Sequence, residues 1–325
     1  MPKVSMVLPV YNDQNDIGDA IQSLEEQTFE DREILVVDDG STDSTVTRVS
    51  NLIEAGKLKD IRLVPIKHSG LTHVRNVGIS EAKGEIVFFA ESDCLYDREY
   101  VSKAVVALDA QPKAGAVCLT GAPAMVRSTV ATECIKIENE LQHKRLRQGK
   151  IRPFYAWVFR KDVLMKLGGF DEHLFQGEDK DIFKRLEAAG YPVAWVPGVH
   201  WWHKRGQTLG DMASKYVKRG ESRILYVIKH RLGVDLVKTL TPFWTTVIGL
   251  LLVPFAPSLG AALIVVVLLV FLIRSSMVVI EAWDVVDKKR YFVAYPFYLV
   301  VRNFATCIGY TAGFVQLAFG GNRAK

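Results

Sequence analysis

Four short apolar segments near the start of the sequence each end in polar or acidic residues. The first runs into Asp13, the second into Asp38 and Asp39, the third into His68, and the fourth into Glu91. Segments of this length, rich in Val, Ile and Leu, are typical of buried parallel strands and are too short for helices. Helix-like patterns lie between them, and this alternation with short connections predicts an α/β fold with a mostly parallel sheet flanked by helices.

Glu91 and Asp93 follow the fourth apolar segment and are the first candidates for chemistry. Ligands of open α/β sheets bind beyond the carboxyl ends of the strands. Two acids one residue apart point to the same side of an extended chain, and carboxylate oxygens on one side suit Mg²⁺ or Mn²⁺. Because an isolated pair of this kind is more often a solvated acidic turn, the metal hypothesis depends on the rest of the sequence.

The pattern becomes mixed beyond Asp93. A polar helix is predicted over 131–148, and we interpret its basic segment at 143–147 as a solvated face. A strand is predicted over 154–160, and Gly177 with the two acids that follow it predicts the start of another helix, because acidic residues favour a helix N-terminus.

A long apolar region occupies the last part of the sequence. Between Thr239 and Ile280 the only charged residue is Arg274, and a membrane-spanning helix needs ~20 apolar residues. Proline and glycine divide the region, which predicts a hairpin of spans over about 239–256 and 259–281, then an interfacial segment and a third span within 291–320. The predicted domains are a cytoplasmic α/β domain over 1–225, a basic amphipathic linker over 226–238 and a small α-helical transmembrane domain over 239–325.

Charge distribution predicts the orientation of this hairpin. Basic residues flank its two ends and are absent from its turn, so the positive-inside rule places both ends in the cytoplasm. The first residues lack the charged start and long apolar core of a signal peptide. We therefore expect a multi-pass protein of the cell membrane, in contact with membrane lipids, with its α/β domain in the cytoplasm.

Cysteine spacing and net charge exclude some classes of protein. The four cysteines have neither paired nor metal-type spacing, which predicts ordinary buried thiols in a reducing compartment. The net charge of +5 is mild, and we expect no nucleic-acid partner.

Six motifs follow one another in a fixed order over roughly residues 3–205. They are Pro9-Val10-Tyr11-Asn12-Asp13, Val37-Asp38-Asp39-Gly40-Ser41, Arg75-Asn76-Val77-Gly78, Glu91-Ser92-Asp93, Gly168-Gly169-Phe170-Asp171 and Glu178-Asp179. They resemble, in turn, the P-x-Y-N, D-D-G-S, A-R-N-x-G, D-x-D, G-G-F-D and E-D motifs of the inverting nucleotide-sugar glycosyltransferases of family 2. The resemblance implies the GT-A fold, which is Rossmann-like.

The resemblance also implies a binding site for a nucleotide-sugar donor. Asp38 and Asp39 would accept hydrogen bonds from the base and the ribose, and Arg75 would contact phosphate or base through its planar guanidinium. A surface ion pair on a helix is the alternative interpretation of Arg75. The donor-binding residues implied in this way are Pro9, Tyr11, Asp13, Asp38, Asp39, Arg75, Glu91 and Ser92.

A metal and a general base complete the implied chemistry. Asp93, helped by Glu91 and by His203 or His200, would hold Mg²⁺ or Mn²⁺ on the diphosphate. Asp179 would remove the proton of an acceptor hydroxyl as that hydroxyl attacks the anomeric carbon, which inverts the configuration there. The acceptor-side residues implied are Trp157, Glu178, Trp201 and Trp202, although membrane-interface anchoring explains the last two almost as well.

Two departures from the family narrow the expected activity. The first acid of the D-x-D motif is Glu91, which is one methylene longer than aspartate. The Q-x-x-R-W motif of the polysaccharide synthases is absent, since the matching region reads Ala213 to Gly220 with only a trailing Arg-Gly. The chain thus resembles dolichyl-phosphate mannose synthases and a reduced form of the cellulose-synthase-like enzymes.

Transfer of one sugar to a lipid-linked acceptor is the leading functional hypothesis. The acceptor is either a polyisoprenyl phosphate or a sugar on a lipid diphosphate. The donors left open are GDP-mannose, UDP-glucose and UDP-N-acetylglucosamine, and the resemblance to dolichyl-phosphate mannose synthases favours GDP-mannose. The alternatives are a polysaccharide synthase of the cellulose-synthase type and a non-catalytic nucleotide-sugar-binding scaffold in the membrane.

Overall fold

The computed structural model describes most of the chain. Its described residues are 1–56, 60–120, 124–125, 129–151, 157–174, 176–204, 208–286 and 289–319. They form two compact units. The first unit comprises Met1–Arg127 and Arg145–Gly206, and the second comprises Ser128–Lys144 and Gln207–Lys325.

The first unit begins with strands and helices in alternation. They are β1 (Val4–Val10), α1 (Ile17–Glu25), β2 (Arg32–Asp38), α2 (Thr45–Glu54), β3 (Ile61–Pro65), α3 (Leu71–Glu81) and β4 (Ile86–Phe89). Helix α1 shows how the sequence produces this pattern, because its buried residues Ile17, Ala20, Ile21 and Leu24 recur at helical spacing. The predicted alternation is confirmed.

Shorter elements follow in mixed order. They are β5 (Cys94–Tyr96), α4 (Tyr100–Ala110), β6 (Ala116–Thr120), β7 (Ala124–Met125), α5 (Val130–Arg147), β8 (Val158–Arg160), α6 (Lys161–Lys166), α7 (Glu178–Ala188), β9 (Val193–Pro197) and β10 (Trp201–His203). The strand predicted over 154–160 appears as β8, and residues 154–156 of that prediction lie outside the described residues.

Seven strands form the main sheet, in the order β3-β2-β1-β4-β8-β6-β9. Every neighbouring pair is parallel except the two pairs that β8 makes with β4 and β6. The α/β fold with a mostly parallel sheet is therefore confirmed. The carboxyl ends of β1, β2 and β4 lie on one edge of the sheet, which is where the candidate residues follow in the sequence.

Apolar side chains cover both faces of this sheet. Along β1, Met6 and Leu8 join a core cluster on one face with α1 and α4, whereas Val7 joins a second cluster on the other face with α3 and α7. Alternate residues of a strand point to opposite faces, so strands that are buried on both sides read as nearly continuous apolar runs.

A small second sheet has the order β5-β10-β7. In this sheet β10 runs antiparallel to β5, with His203 opposite Cys94 and Trp201 opposite Tyr96. The sequence pattern did not predict β5 or its pairing, because three residues carry too little periodicity. This pairing decides the geometry of the candidate site.

The second unit is helical. It contains α8 (Leu209–Lys229), α9 (Gly233–Leu252), α10 (Pro257–Ala282), a 3₁₀ helix (Lys289–Phe292) and α11 (Tyr295–Phe319), together with most of α5. The domain bounds predicted from the sequence include α5 and most of α8 in the α/β domain. In the structure, residues 128–144 and 207–225 cluster with the C-terminal helices instead.

Among the described residues, α10 is the one helix long and apolar enough to cross a membrane. Its side chains are largely exposed, with Leu268 54% and Ile280 76% accessible. The apolar stretch of α9, Thr239–Leu252, is shorter. Of the three spans predicted from the sequence, only the second, which corresponds to α10, is therefore supported. Helix α11 contains Arg302, whose guanidinium pairs with Glu138 of α5, which explains why a charge lies within this apolar helix.

Candidate active site

Three candidate metal ligands converge beyond the carboxyl end of β4. Asp93 Oδ1 lies 3.8 Å from His203 Nδ1, and Glu91 Oε2 lies 4.0 Å from His203 Nε2. The antiparallel pairing of β10 with β5 carries His203 to this position, and the backbone N–H of Lys204 donates to the Asp93 carbonyl at 2.9 Å. The alternative ligand, His200, is exposed and does not belong to this group of described residues.

Cys94 is a fourth member of the group, and the sequence alone did not identify it. Its Sγ lies 3.1 Å from His203 Nδ1, 3.3 Å from Glu91 Oε2 and 3.7 Å from Asp93 Oδ1. Burial, followed by the charges of Glu91 and Asp93, raises the pKa of the Cys94 thiol well above its ordinary value. The sequence offered one signal, which is that Cys94 directly follows the D-x-D-like motif.

The donor set of this group fits a divalent cation. Two carboxylates, an imidazole and a thiol each offer one ligand atom, and these atoms all lie within 4.8 Å of one another. The predicted residues Glu91, Asp93 and His203 could hold such an ion together. Oxygen and nitrogen ligands of this kind are compatible with Mn²⁺ as well as with Zn²⁺.

Two side-chain contacts organise the residues around the first motif. Ser92 Oγ donates to Asp13 Oδ2 at 2.5 Å, which links the end of β1 to the D-x-D-like motif. Tyr11, 46% exposed, stacks on the ring of His68 with centroids 4.3 Å apart. Pro9 lies in β1 opposite Val37 of β2, behind this edge.

Asp38 and Asp39 are turn-forming residues in this structure. Oδ2 of Asp38 accepts the backbone N–H groups of Gly40 and Ser41, and the residue is 2% exposed. Oδ1 of Asp39 accepts the backbone N–H of Ser69 at 2.7 Å, and its Oδ2 accepts that of Gly70 at 3.0 Å. These bonds hold the two loops together, and the predicted contacts of Asp38 and Asp39 with base and ribose stay a prediction.

Arg75 forms a buried ion pair in this structure. It is 3% exposed, and its Nη1 donates to Glu178 Oε1 at 2.9 Å. Its guanidinium lies over the rings of Trp157 at 4.9 Å and Phe170 at 5.3 Å. The Arg75–Glu178 pair thus joins α3 to α7. The predicted contacts of these two residues with donor and acceptor stay predictions. Burial raises the pKa of Glu178, and Arg75 only partly offsets that rise.

Asp179 lies in the first turn of α7. Gly177 precedes the helix with a left-handed backbone conformation (φ 85°), which turns the chain into α7. Asp179 is half-buried, and its Oδ1 accepts the backbone N–H of Lys180 at 2.8 Å. Its other carboxylate oxygen, Oδ2, is the atom that a base would use.

The three candidate tryptophans have separate environments. Trp157 lies beneath the guanidinium of Arg75. Trp201 packs against the first core cluster with its ring edge-on to Tyr100 at 6.5 Å, and Trp202 is tilted against His200 at 6.3 Å. All three are half-buried, so the structure does not bring them together into one sugar-stacking surface.

The asparagines of two motifs each hydrogen-bond to the backbone of a distant segment. Asn12 has a positive φ of 49°, and its Oδ1 accepts the backbone N–H groups of Thr42 at 2.7 Å and Asp43 at 3.3 Å. Asn76 accepts the N–H of Phe170 at 2.8 Å and donates to the Phe170 carbonyl at 2.9 Å. Both asparagines could be recognised in the sequence as motif residues, but only these contacts show their structural role.

Gly169 belongs to the same contact. It has φ 71°, and a Cβ at this position would lie 2.5 Å from Asn76 Oδ1. A side chain would therefore strain the backbone and push away Asn76. The G-G-F-D loop and the R-N-x-G helix are held together by this close approach.

Comparison with solved structures supports the fold. The mannosyltransferase PcManGT from Pyrobaculum calidifontis, solved in complex with GDP-Man and Mn²⁺, matches with a TM-score of 0.63 at 19% identity. The match covers 99% of this chain and 88% of PcManGT. At this identity the likeness shows a common GT-A-like fold.

Comparison of sequences identifies relatives. Glycosyltransferase AglE of Haloferax volcanii is 26% identical over 230 residues, which cover 69% of this chain and 74% of AglE. The GalNAc(5)-diNAcBac-PP-undecaprenol beta-1,3-glucosyltransferase of Campylobacter jejuni is 28% identical over 169 residues, 50% of this chain and 53% of that protein. The profile of the family described as Glycosyl transferase family 2 matches residues 5–168. Because this match covers half of the chain, the chain belongs to glycosyl transferase family 2.

Proposed function

We propose that this glycosyltransferase moves one sugar from a nucleotide-sugar to a lipid-linked acceptor at the cytoplasmic face of a membrane, with inversion at the anomeric carbon. The observation that carries the proposal is the group formed by Glu91, Asp93 and His203 at the carboxyl edge of the sheet. Ligands of parallel α/β sheets bind at this edge, and a diphosphate needs a cation there.

Side chains around this edge of the sheet form the proposed donor-binding surface. The exposed ring of Tyr11, stacked on His68, offers an aromatic surface beside the turn that Asp39 holds. When bound, a divalent cation held by Glu91, Asp93 and His203 neutralises the charge that develops on a diphosphate leaving group. The likeness to PcManGT, solved with GDP-Man and Mn²⁺, supports GDP-mannose as the first donor to assay.

Asp179 acts as the base in this proposal. Its carboxylate takes the proton of an acceptor hydroxyl while the hydroxyl oxygen attacks the anomeric carbon and the bond to the diphosphate breaks. One displacement by one nucleophile inverts the configuration. A sugar hydroxyl needs such a base, whereas a polyisoprenyl phosphate is already an anion. Asp179 therefore favours a sugar on a lipid diphosphate over a lipid phosphate as the acceptor.

The helical unit supports a lipid-linked acceptor. Helix α10 exposes a long apolar surface, which a membrane would cover, and α9 packs along it as the other arm of the predicted hairpin. The relative from Campylobacter jejuni carries undecaprenol diphosphate in the name of its substrate. A helix anchored in the membrane would hold the enzyme at the surface where the head group of a lipid-borne substrate lies.

The test of this function is replacement of the base. Asp179→Asn keeps the size of the side chain but cannot accept a proton, so we expect transfer to fall ~10²–10⁴-fold. Binding of GDP-mannose, measured by calorimetry in Mn²⁺, should change little because Asp179 serves the acceptor. Asp162→Asn is the matched control, since Asp162 is an exposed acid in the first turn of α6.

The outcome separates a base from a binding residue. If donor affinity falls in parallel with the transfer rate, Asp179 binds the donor and the proposed role is wrong. If Asp179→Asn transfers as fast as the unchanged protein, the acceptor needs no base, which would favour a lipid phosphate.

A further inference from the structure

Cys94 belongs to the first core cluster and also lies among the proposed metal ligands. It is 0% exposed. Its Sγ is directed at His203 Nδ1 and at the carboxylates of Glu91 and Asp93, with separations of 3.1, 3.3 and 3.7 Å respectively. Besides its packing in the core, the thiol therefore contacts three candidate ligand atoms.

Four of the separations are close to the edges of a small tetrahedron. Zinc binds sulfur at ~2.3 Å and nitrogen or oxygen at ~2.0–2.2 Å, which makes the edges of a tetrahedral site roughly 3.5 Å long. The distances from Cys94 Sγ range from 3.1 to 3.7 Å, and His203 Nδ1, the nitrogen nearer to Cys94, lies 3.8 Å from Asp93 Oδ1. The four ligand atoms all lie within 4.8 Å of one another. Small rotations of these side chains would bring all four ligands onto one ion.

The chemistry of the four ligands selects among cations. Mg²⁺ prefers six oxygen ligands and rarely binds sulfur, while thiolate with imidazole and carboxylate suits Zn²⁺. Affinities of mixed sites also rise from Mn²⁺ to Zn²⁺. A zinc ion with four protein ligands has no open position, whereas a catalytic ion must keep one for its substrate.

We propose that Cys94 makes the Glu91–Asp93–His203 group a four-ligand site for Zn²⁺, and that zinc bound there excludes the donor diphosphate and inhibits transfer. The Cys94 proton leaves to solvent when sulfur binds the ion, and nothing is oxidised or reduced. Binding of the catalytic cation would use the two carboxylates and the imidazole and leave the thiol protonated. The inhibition rests on the proposed function, but the four-ligand site does not.

Cobalt is the probe, because Co²⁺ replaces zinc and absorbs in the near ultraviolet when it is bound to a thiolate. The full-length protein is purified in detergent, stripped with EDTA and titrated with Co²⁺ in the absence of donor and acceptor. The decisive variant replaces the other three cysteines, Cys118, Cys134 and Cys307, by serine. In this protein a sulfur-to-cobalt band can come only from Cys94.

We expect one equivalent of Co²⁺ to produce the band in the unchanged protein and in this triple variant, and one equivalent of Zn²⁺ to remove it. Cys94→Ser should abolish the band and weaken zinc binding by at least ~10-fold, because the loss of groups that only support metal ligands already costs 10–100-fold. An absent band in the triple variant with its fold intact, or a band that persists in Cys94→Ser, overturns the four-ligand site.

The inhibitory step has a separate readout. Zinc should inhibit Mn²⁺-supported transfer reversibly, with recovery on addition of EDTA and excess Mn²⁺, and Cys94→Ser should require at least ~10-fold more zinc for the same inhibition. A cobalt band with no zinc inhibition would overturn the inhibitory step and retain the site. Lack of any transferase activity would contradict the proposed function while the spectra still decide whether Cys94 is a ligand.

Discussion

At the scale of single residues, Arg75 and Glu178 illustrate how a motif residue can act through structure. Arg75 is enclosed by Trp157, Phe170 and one carboxylate, all within the first unit. Removing one member of a buried ion pair leaves a charge without a partner, which is far more costly than removing both. The pair therefore fixes the start of α7, and with it the position of Asp179.

This positioning role predicts a non-additive double-mutant cycle. Arg75→Met and Glu178→Met should each lower the free energy of unfolding by about 3–5 kcal/mol, because each strands a buried charge. The double variant should lose clearly less than the sum. Thermal and denaturant unfolding in detergent measure this. Lys166→Met, in an exposed ion pair with Asp162, serves as the control and should change stability little.

A second readout distinguishes structure from phosphate binding. If Arg75 held the donor phosphate, the two single variants would differ sharply in donor affinity, since only Arg75→Met would remove a phosphate ligand. Equal, modest effects on donor affinity support the positioning role. Additive losses of stability would contradict it.

At the scale of elements, α5 shows a face that its sequence did not reveal. Its residues Ala131, Cys134, Ile137 and Leu141 are buried in a cluster with α10 and α11. Glu138, on the same helix, accepts a hydrogen bond from Tyr295 at 2.9 Å and pairs with Arg302. The basic segment at 143–147, which the sequence predicted to be a solvated face, lies at the end of the same helix. Within it, Lys144 Nζ pairs with Asp284 Oδ1 at 2.5 Å.

Helices α8 and α11 approach each other backbone to backbone. Val217 of α8 lies beside Gly309 of α11, and Glu221 lies beside Gly313, so the two helices run in the same direction. A Cβ on Gly309 would overlap the carbonyl oxygen of Val217. Small residues four apart are known to allow such close packing between apolar helices.

We therefore expect Gly309→Ala to destabilise the second unit although alanine favours helix. Forcing the helices apart should cost about 1–3 kcal/mol, more than the ~1 kcal/mol that alanine gains in a helix. Gly233→Ala is the matched control, because a Cβ added there would have no neighbouring atom within 4 Å, so this change should be neutral or stabilising. Thermal unfolding of both variants in detergent decides. Equal melting temperatures for both variants would contradict the close packing.

At the scale of the whole molecule, the chain joins a transferase unit to a helical unit that exposes apolar surface. On α10, Leu268 and Leu272 are 54% and 53% exposed. Apolar surface of this length on a helix is costly in water. The proposed lipid-linked acceptor would give this surface a functional role in addition to anchoring.

Charges on this surface should uncouple membrane use from sugar transfer. Leu268→Lys with Leu272→Lys should move protein from the membrane to the soluble fraction, because a lysine near the centre of a span costs about 2.5–3.5 kcal/mol. Transfer to long-chain lipid acceptors should fall, while transfer to short water-soluble analogues persists. Val106→Lys is the control, since Val106 is 67% exposed in α4 of the first unit. Unchanged use of long-chain acceptors by the double variant would show that α10 does not serve acceptor binding.

The order of apolar and polar segments in the sequence determined the fold class. Apolar runs such as Val4–Val10 and Ile86–Phe89 could be recognised because burial on both faces of a parallel sheet leaves nearly every position apolar. The resemblance likewise predicted that Glu91 and Asp93 share one site with His203 or His200. These features are local or repeat along the chain, so they can be recognised in the sequence.

Only the tertiary structure decided which partner each candidate meets. The pairing of Arg75 with Glu178 and the contact of Cys94 with His203 each depend on a residue about 100 positions away along the chain. Helix α5 is polar by sequence, and its buried face became evident only from its packing against α10 and α11 in the structure. A contact between distant segments produces no periodic pattern in either segment. The candidate residues could therefore be recognised in the sequence, but their partners could not.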